Sequence, residues 1–401
     1  MQQLLVKLLA AVLLCGFGQQ LTAQGSACVI GPDGSNVQPG TGGPCVNTVV
    51  SAVPFLRINP DARGGAMGDA GVALSPDANA LHYNASRLAF SEEDLALGAT
   101  YTPWLQALGL NDVYLAYLGG FKKLGDNQAV AASLRYFSLG DIQYTDENNT
   151  QLGTGKPNEF EVALAYTRLL SQNFGLSITG KYINSNLASG QQSGGQIIEV
   201  GQAFAADIGA NFRSEPIGPS GNILSIGAAI TNIGNKITYT QDTIRDFLPA
   251  NLGIGAAYTF NLDQYNQITV TAETNKLLVP TPCDGSPKCK QTQSEINDQS
   301  PISGIFNSFS DAPDGFNEEL REFNFSVGAE YWYAEQFAVR AGYFHEDQTK
   351  GGRRYLTAGL GLKYNIFGIN LSYLVPTGNQ RNPLDNTLRF SVLFDFGATE
   401  E

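Results

Sequence analysis

The feature that most constrains this chain is an alternation of apolar and polar residues, which recurs from Glu93 to the end of the sequence. The last segment shows it most clearly, with large apolar side chains at every second position: Leu388, Phe390, Val392, Phe394 and Phe396. Successive side chains of a β-strand point to opposite faces, so each such segment would have one apolar and one polar face. This pattern is typical of strands that separate lipid from a polar interior.

About 14 segments carry the alternation, and bacterial outer-membrane barrels require an even number of strands. They cover residues 95–101, 113–121, 130–136, 160–166, 174–182, 204–212, 224–230, 252–260, 268–272, 323–333, 337–343, 356–364, 369–375 and 388–396. We therefore predict an all-β fold, a transmembrane antiparallel β-barrel of about 14 strands over residues 93–401.

The connections between these segments are alternately short and long. The short ones include residues 122–128, 171–173, 334–336 and 365–368, and the long ones include residues 141–157, 184–200, 235–248 and 279–322. Outer-membrane barrels have short periplasmic turns and longer extracellular loops, whereas soluble β-sandwiches lack this asymmetry. We expect the long loops to face outward.

The composition excludes two other classes of protein. Charged residues make up 15% of the 401 residues and the mean hydropathy is -0.12, which does not fit a bundle of apolar membrane helices. The formal net charge of -13 argues against a nucleic-acid partner, because phosphate binding needs a basic surface.

Residues 1–24 have the features of a cleavable signal peptide. Lys7 precedes an apolar run over residues 8–17 that is too short to span a bilayer, and we place cleavage near Gln24. The alternative is a lipid on Cys15, because Leu13–Gly16 resembles a lipoprotein cleavage site, although the leucine before the cysteine fits that site poorly.

Removal of the signal peptide leaves four cysteines, an even number in an oxidising compartment. Their close spacing suggests two disulfides, Cys28 with Cys45 and Cys283 with Cys289. The first would staple an N-terminal extension over residues 25–54, and the second would staple the long loop 279–322. Metal ligation is the alternative, but no histidine lies near these cysteines in the sequence.

Residues 55–92 do not follow the barrel pattern. The stretch is rich in glycine and small residues, and Ala80, Leu81, Asn84 and Leu88 can share one side of a short helix with Asp77 near its start. Such a segment would fit inside the barrel as a plug.

Several charged residues fall on or near the polar faces of the segments, with both signs interspersed. They are Arg135, Lys181, Asp207, Arg213, Glu273, Glu330, Arg340, Lys363, Arg389 and Asp395. We expect them to pair with one another and with Asp61, Arg63 and Asp69 of the plug. A polar pore is the alternative.

Loop 279–322 carries apolar residues at partly helical spacing: Ile302, Ile305, Phe306 and Phe309. They could form an exposed anchor for a protein partner, or they could pack onto the barrel mouth. The sequence leaves both interpretations open.

Signs of catalysis are few. The two histidines, His82 and His345, are far apart, and His345-Glu346-Asp347 falls where a charged loop tip needs no further explanation. No Gly-x-Ser-x-Gly motif and no phosphate-binding loop occurs. We predict no catalytic residue, no cofactor and no metal site.

Two stretches resemble known outer-membrane families. Residues 77–89 resemble the "D-A-x-A-x-x-x-N-P-A-x-L-A" segment of FadL-type barrels, with Asn84-Ala85-Ser86 in place of Asn-Pro-Ala. That departure weakens the case for a FadL-like ligand site, but not for the fold. Residues 55–72 resemble the PorV family, whose motif "F-L-x-I-x-P-D-A-R-x-x-x-M-G-D-A-G-V" is represented here by residues that include Asp61, Arg63, Gly64, Met67, Gly68 and Asp69. PorQ-type proteins share a version of this motif.

The resemblance extends over nearly the whole mature chain and implies a role in the type IX secretion system of Bacteroidetes. Members of the PorV family are thought to accompany a SprA/Sov-type translocon barrel and to bind the C-terminal signal domains of cargo proteins. They would pass this cargo to the surface sortase complex, which anchors it to lipopolysaccharide in the outer membrane.

Two other functions remain to be compared with this one. A FadL-like transporter of hydrophobic small molecules would need an apolar pocket beside the plug helix. An enzyme that acts on lipopolysaccharide would need clustered catalytic groups near the outer rim, and this is the weakest of the three hypotheses.

Overall fold

The computed structural model describes residues 29–30, 36–37, 47–105, 109–110, 112–145, 151–193, 196–240, 245–283, 291–313, 315–377 and 387–397. The chain divides into two compact units, Met1–Cys45 and Val46–Glu401. In the first unit, β1 (Val29–Ile30) pairs with β2 (Asn36–Val37). The predicted signal peptide, Cys15, Cys28, Cys45 and Cys289 lie outside the described residues.

The second unit is a closed barrel of 14 strands in which every neighbouring pair is antiparallel. The strands are β3 (Glu93–Pro103), β4 (Val113–Lys123), β5 (Gln128–Leu139), β8 (Asn158–Ser171), β9 (Phe174–Asn186), β12 (Gly201–Arg213), β13 (Ile223–Gly234), β14 (Asn251–Asn261), β15 (Asn266–Leu277), β16 (Phe323–Tyr333), β17 (Phe337–His345), β18 (Arg354–Tyr364), β19 (Phe367–Pro376) and β20 (Leu388–Gly397). Each predicted segment lies within one of these strands, so the predicted fold is confirmed.

The barrel closes where the last strand meets the first. β20 pairs with β3 in a ladder that includes Ser391 opposite Thr100, and their hydroxyl oxygens are 2.7 Å apart. Closure leaves no unpaired strand edge, which a barrel in hydrocarbon cannot tolerate. Among the described residues, no helix combines the length and apolar character that crossing a bilayer requires.

Alternate residues of the strands face opposite sides, as the sequence pattern predicts. In β20 the Phe390 side chain is 42% exposed, whereas its neighbour Arg389 is 1% exposed. Large apolar side chains therefore cover the outside of the barrel, and polar and charged side chains lie in its interior.

The two ends of the barrel differ. At one end the connections are short, and Ala334, Glu335 and Asn365 have positive φ values that suit tight hairpin turns. At the other end the connections are long and contain two small ladders, β6 (Ile142–Thr145) with β7 (Gln151–Gly155) and β10 (Gln192–Ser193) with β11 (Gln196–Ile197). We call these ends the short-turn end and the long-loop end.

Residues 54–91 form what we call the inner segment. It contains a 3₁₀ turn at Pro54–Arg57, helix α1 (Ala62–Ala66), helix α2 (Ala80–Tyr83) and a second 3₁₀ turn at Ala85–Phe90. Just before it, the backbone amides of Asn47 and Ala52 donate to Thr349 and Phe247, which belong to long loops. The chain thus enters the barrel at the long-loop end and leaves it at the short-turn end, where β3 begins.

The inner segment lies against every strand of the barrel. Helix α1 packs on β17 to β20, and the second 3₁₀ turn packs on β5, β8, β9 and β12. Hydrogen bonds tie the segment to β15 and β16. Glycines of β3, β4, β13 and β14 lie against Val72 and Ala78. Contacts all round the wall mean that this segment occupies the interior.

The short helix predicted to carry Ala80, Leu81, Asn84 and Leu88 is broken at Asn84, where the backbone is extended. The side chain of Asn84 accepts a hydrogen bond from the Ser86 amide and donates to the carbonyl oxygens of Val72 and Ala210. These bonds favour the extended backbone over a continuous helix, which is why the segment splits into α2 and a 3₁₀ turn.

Inward-facing glycines of the strands provide the space for the inner segment. A Cβ atom on Gly359 would lie 2.4 Å from the Cβ of Ala66, and one on Gly227 would lie 2.4 Å from the carbonyl oxygen of Val72. Both distances are far below van der Waals contact, so larger residues at these positions would displace the segment.

We expect Gly359→Val to lower the free energy of unfolding by about 2 kcal/mol or more, because overpacked sites force the backbone to shift. The matched control is Gly180→Val, since Gly180 is an outward-facing strand glycine whose Cβ would meet no atom within 4 Å. Urea unfolding of both variants, followed by electrophoretic mobility of the folded barrel, would test this. Equal stability of the two variants would contradict the assignment.

Candidate functional site

The strongest link between the inner segment and the wall is a buried pair of arginines on one carboxylate. Arg63 donates to both oxygens of Glu330, at 2.9 Å from Nε and 2.8 Å from Nη2. Arg340 of the neighbouring strand donates to the same carboxylate at 2.6 Å. Arg63 also reaches Asp77 within the inner segment at 3.0 Å. Bidentate contacts between an arginine and a carboxylate are among the stronger polar interactions in proteins.

Asp69 makes the second ionic link. Its carboxylate lies 3.5 Å from Nη1 of Arg389 in β20 and accepts a hydrogen bond from the hydroxyl of Tyr355 in β18. Of the three charged residues expected to pair with the wall, Arg63 and Asp69 do so. Asp61 instead caps helix α1, because its carboxylate accepts from the amides of Arg63 at 3.0 Å and Gly64 at 2.7 Å.

Backbone amides of the inner segment use a second carboxylate of the wall. The amides of Gly71 and Val72 both donate to Glu273 in β15 at 2.8 Å. The hydroxyl of Thr357 in β18 accepts from the amide of Gly68 at 3.0 Å and donates to the carbonyl of Ala66 at 2.8 Å. These bonds satisfy polar groups of a chain that has no regular partner strand.

The remaining motif residues fit the segment to its surroundings. Gly64 lies against the hydroxyl of Tyr83, and Gly68, with φ 74°, lies against the backbone of Tyr343. Met67 is fully buried in a cluster with Ala70, Ala73, Leu74 and Ala257. The PorV-like motif thus consists of positions that seat the inner segment in the barrel.

Other inward charges pair within the wall or contact the inner segment. Lys181 lies 2.8 Å from Asp207, and Lys363 lies 3.1 Å from Asp395. Arg135 donates to the carbonyl of Leu56 at 2.6 Å and also contacts the ring of His82. Pairing rather than an open polar pore accounts for these charges.

An interior cavity of about 120 Å³ remains beside the inner segment. Its lining is largely polar, and examples are Asn59, His82, Lys181, Asn232 and Asn275. This cavity is therefore not the apolar pocket that a transporter of hydrophobic molecules would need.

Apolar side chains close the barrel above this cavity, at the long-loop end. Val53, Phe55 and Leu56 pack in one buried cluster with residues at the ends of several strands, among them Phe137 and Phe344. The rings of Phe55 and Phe137 are stacked with centroids 6.4 Å apart. Val53 and the start of the inner segment therefore form an apolar lid over the polar interior of the barrel.

The long connection between β15 and β16 carries three helices, α3 (Gln293–Asp298), α4 (Pro301–Asn307) and α5 (Phe316–Arg321). Thr292 and Glu295 form a capping box that starts α3, and the Ser300 hydroxyl caps α4. In its described residues, 279–283, 291–313 and 315–322, the loop thus contains helices rather than only open coil.

Buried ion pairs hold the base of this loop on the barrel. Lys276, at the end of β15, pairs with Glu319 at 3.1 Å and with Glu322. Lys350, from another loop, pairs with Glu318 at 2.6 Å and with Glu322 at 2.9 Å. All five side chains are at least nine-tenths buried, so the base is fixed in position.

A cavity of about 240 Å³ lies within the loop, between Cys283, Ile296 and Asp311 among other residues. Cys283 is disulfide-bonded; its predicted partner Cys289 lies outside the described residues, so this pairing stays a prediction. Burial raises the pKa of Asp311 to about 6, although its carboxylate accepts a hydrogen bond from the amide of Thr281.

The loop exposes large apolar side chains. Ile302 is 55% exposed, Phe306 72% and Phe309 44%, whereas Ile305 is partly buried. Gly304, on the other side of α4, lies against Phe247 and Pro280. Helix α4 therefore packs through its small residue on residues of the long loops, while Ile302 and Phe306 remain exposed.

The sequence interpretation missed two further exposed residues, Phe316 at 74% and Leu320 at 50%, both on α5. Their spacing of four residues on an amphipathic segment was the available signal, because Glu318 and Glu319 between them face the buried base. We call Ile302, Phe306, Phe309, Phe316 and Leu320 the outer-loop apolar residues.

The cluster His345-Glu346-Asp347 serves the structure of its loop. Burial opposes ionisation of Glu346, but the ion pair with Arg353 at 2.8 Å outweighs it and lowers the pKa of the carboxyl. Asp347 accepts from the amide and hydroxyl of Thr349. Within the described residues, no group of three or more His, Cys, Asp or Glu side chains could hold a metal ion.

The model of one protein family, described as Type IX secretion system protein PorV, matches residues 45–284, which is more than half of the chain. The chain belongs to the PorV family. It is thus an outer-membrane component of the type IX secretion system and not an enzyme. No curated protein matches it.

Solved structures with a similar arrangement are outer-membrane barrels of low sequence identity. The Pseudomonas putida toluene transporter TodX is 12% identical, with a TM-score of 0.45 over 82% of this chain and 95% of that one. The CymD monoaromatic hydrocarbon channel is 11% identical (TM-score 0.48, 84% and 97%), and a Pseudomonas aeruginosa FadL homologue is 10% identical (TM-score 0.46, 87% and 100%). All three TM-scores are below 0.5. The barrel architecture is therefore assigned from the strand pairing of this PorV-family chain itself.

Removal of the central arginine tests the link between the inner segment and the wall. We expect Arg63→Met to cost about 3 kcal/mol of stability, because a buried carboxylate loses one of its two partners. The control is Lys156→Met, which removes a pair at 3.2 Å between side chains that are 82% and 61% exposed. Urea unfolding should show a large loss for the first variant and none for the second. Similar losses would contradict the central role of Arg63.

Proposed function

We propose that this PorV-family protein acts as a surface-side adaptor of the type IX secretion system. It would bind the C-terminal signal domains of cargo at a SprA/Sov-type translocon barrel and pass them to the surface sortase complex, which anchors cargo to lipopolysaccharide. The proposal is carried by loop 279–322, which we call the outer loop. Its base is fixed by buried ion pairs, and it exposes the outer-loop apolar residues to solvent.

The fixed base matters because a rigid surface loses little conformational freedom when it binds. Lys276 and Lys350 hold α5 on the barrel through buried carboxylates. Phe306 and Phe316, at 72% and 74% exposure, then present aromatic rings without local cover. Exposed aromatic residues of this kind are typical of surfaces that bind proteins.

The filled interior supports an adaptor rather than a conduit. A barrel of this strand number is narrower than the porins of about 16 to 18 strands, which leave an aqueous channel. Here the inner segment occupies the interior, and the ionic links of Arg63 and Asp69 hold it in place. A folded cargo protein would have no passage through the barrel.

The hydrophobic-molecule transporter is the alternative, and the interior weighs against it. The cavity beside the inner segment is small and lined mainly by polar side chains such as Lys181 and Asn275. A hydrophobic ligand there would strip water from polar groups without replacing their hydrogen bonds.

Substitution of the exposed aromatic residues tests the adaptor. We expect the double variant Phe306→Ser/Phe316→Ser to lower the amount of surface-anchored cargo at least tenfold, since a buried aromatic anchor contributes about 2 kcal/mol to an interface. Mass spectrometry of surface and culture-supernatant proteins would measure this.

The matched control is Tyr265→Ser, because Tyr265 is 54% exposed but lies in a turn at the short-turn end. This variant should leave surface cargo unchanged. Normal anchoring in the double variant, with the barrel folded and abundant in the membrane, would refute the role proposed for the loop. A photo-cross-linker at position 306 should also capture a protein that carries the cargo signal domain.

A further inference from the structure

The outer face of the barrel has an apolar groove across β3, β4, β5 and β8, with a volume of about 550 Å³. Its floor contains two small residues, because Gly120 of β4 lies opposite Ala132 of β5 in the strand register, and the side chain of Leu97 lies over Gly120. Leu97 of β3 is opposite Gly120 on one side, and Leu164 of β8 is opposite Ala132 on the other. One row across four strands therefore reads large, small, small, large.

The groove lies between two rows of larger side chains. Leu118 and Leu134, which are opposite each other in the register, lie toward the long-loop end and are 53% and 40% exposed. Toward the short-turn end the next row contains Leu95, Lys122 and Val130, which also line the groove. The depression is thus a slot whose short-turn side, which we call its mouth, carries a charged residue, Lys122.

Two cations lie at that mouth without an ionic partner among the described residues. Lys122 is two residues from Gly120 on the same strand, or about 7 Å along it. Arg168 is opposite Gln128 at the start of β5, one row closer to the short-turn end than Lys122. Both side chains are exposed on the outward face of the barrel. Free cations stand out on a chain whose formal net charge is -13.

We propose that this slot is a binding site for one anionic glycerophospholipid of the leaflet at the short-turn end. An acyl chain would lie on Ala132 between Leu97 and Leu164, and Lys122 and Arg168 would bind the phosphate. Paired cations at an interface attract anionic headgroups.

The site is independent of cargo binding, because it lies on the lipid-facing side of the barrel rather than on the outer loop. A retained lipid would fill the groove and make more van der Waals contacts with its walls than rapidly exchanging lipid chains do. It would also give this face of the barrel a defined lipid neighbour.

Native mass spectrometry of the full-length protein, released from nanodiscs that contain equal phosphatidylglycerol and phosphatidylcholine, tests the proposal. We expect one retained phosphatidylglycerol on the unaltered protein. Ala132→Leu, which fills the floor, should lower that occupancy at least tenfold. Ala256→Leu, at an outward-facing alanine on β14 outside the groove, should leave it unchanged.

The double variant Lys122→Gln/Arg168→Gln should retain a lipid but lose the preference for phosphatidylglycerol over phosphatidylcholine. The loop variant Lys156→Gln is its control, since that lysine is 82% exposed and lies at the opposite, long-loop end of the barrel. Equal retention in Ala132→Leu and Ala256→Leu would overturn the proposal. So would loss of a co-purifying membrane protein, with lipid retention unchanged, in Ala132→Leu, because the slot would then be a protein interface.

Discussion

The carboxylate of Glu330, held by Arg63 from inside the barrel and by Arg340 from the wall, is the interaction on which the rest of the structure depends. A charge buried in such an interior is costly unless it is paired and hydrogen-bonded. The wall supplies only one of the two arginines, so its interior is balanced only when the inner segment is in place. The same reasoning applies to Glu273, whose oxygen accepts from two amides of the segment. The wall and the inner segment therefore each supply hydrogen-bonding and ionic partners that the other lacks.

Because the interior of the barrel is filled, we place the function on its outer surface. Buried ion pairs also hold the outer loop, since Lys276 and Lys350 each lie between buried glutamates. Inside the barrel this arrangement fixes a segment that has no strand partner. Outside, it fixes helices whose aromatic residues remain in solvent, as an adaptor needs. The slot on the lipid face is a third, separate surface, shaped by small residues rather than by charge.

The strands were predictable because lipid on one side and polar groups on the other impose an alternation that is visible in the sequence, as in residues 388–396. The partner of Arg63 was not, because Glu330 lies 267 residues away and many inward charges had the right sign. The break at Asn84 depends on the carbonyl of Ala210, another distant contact. Phe316 and Leu320 escaped notice because their exposure depends on which face of α5 the two lysines hold.

The central claim, that the inner segment closes the barrel and the protein works from its outer surface, is tested most directly by ion conductance. Single barrels in a planar bilayer at neutral pH should show no steady current, because the lid of Val53, Phe55 and Leu56 covers the long-loop end and the ionic links of Arg63 and Asp69 hold the inner segment in the interior. A steady conductance of the size that porins show would mean that the interior is open, and would contradict the account.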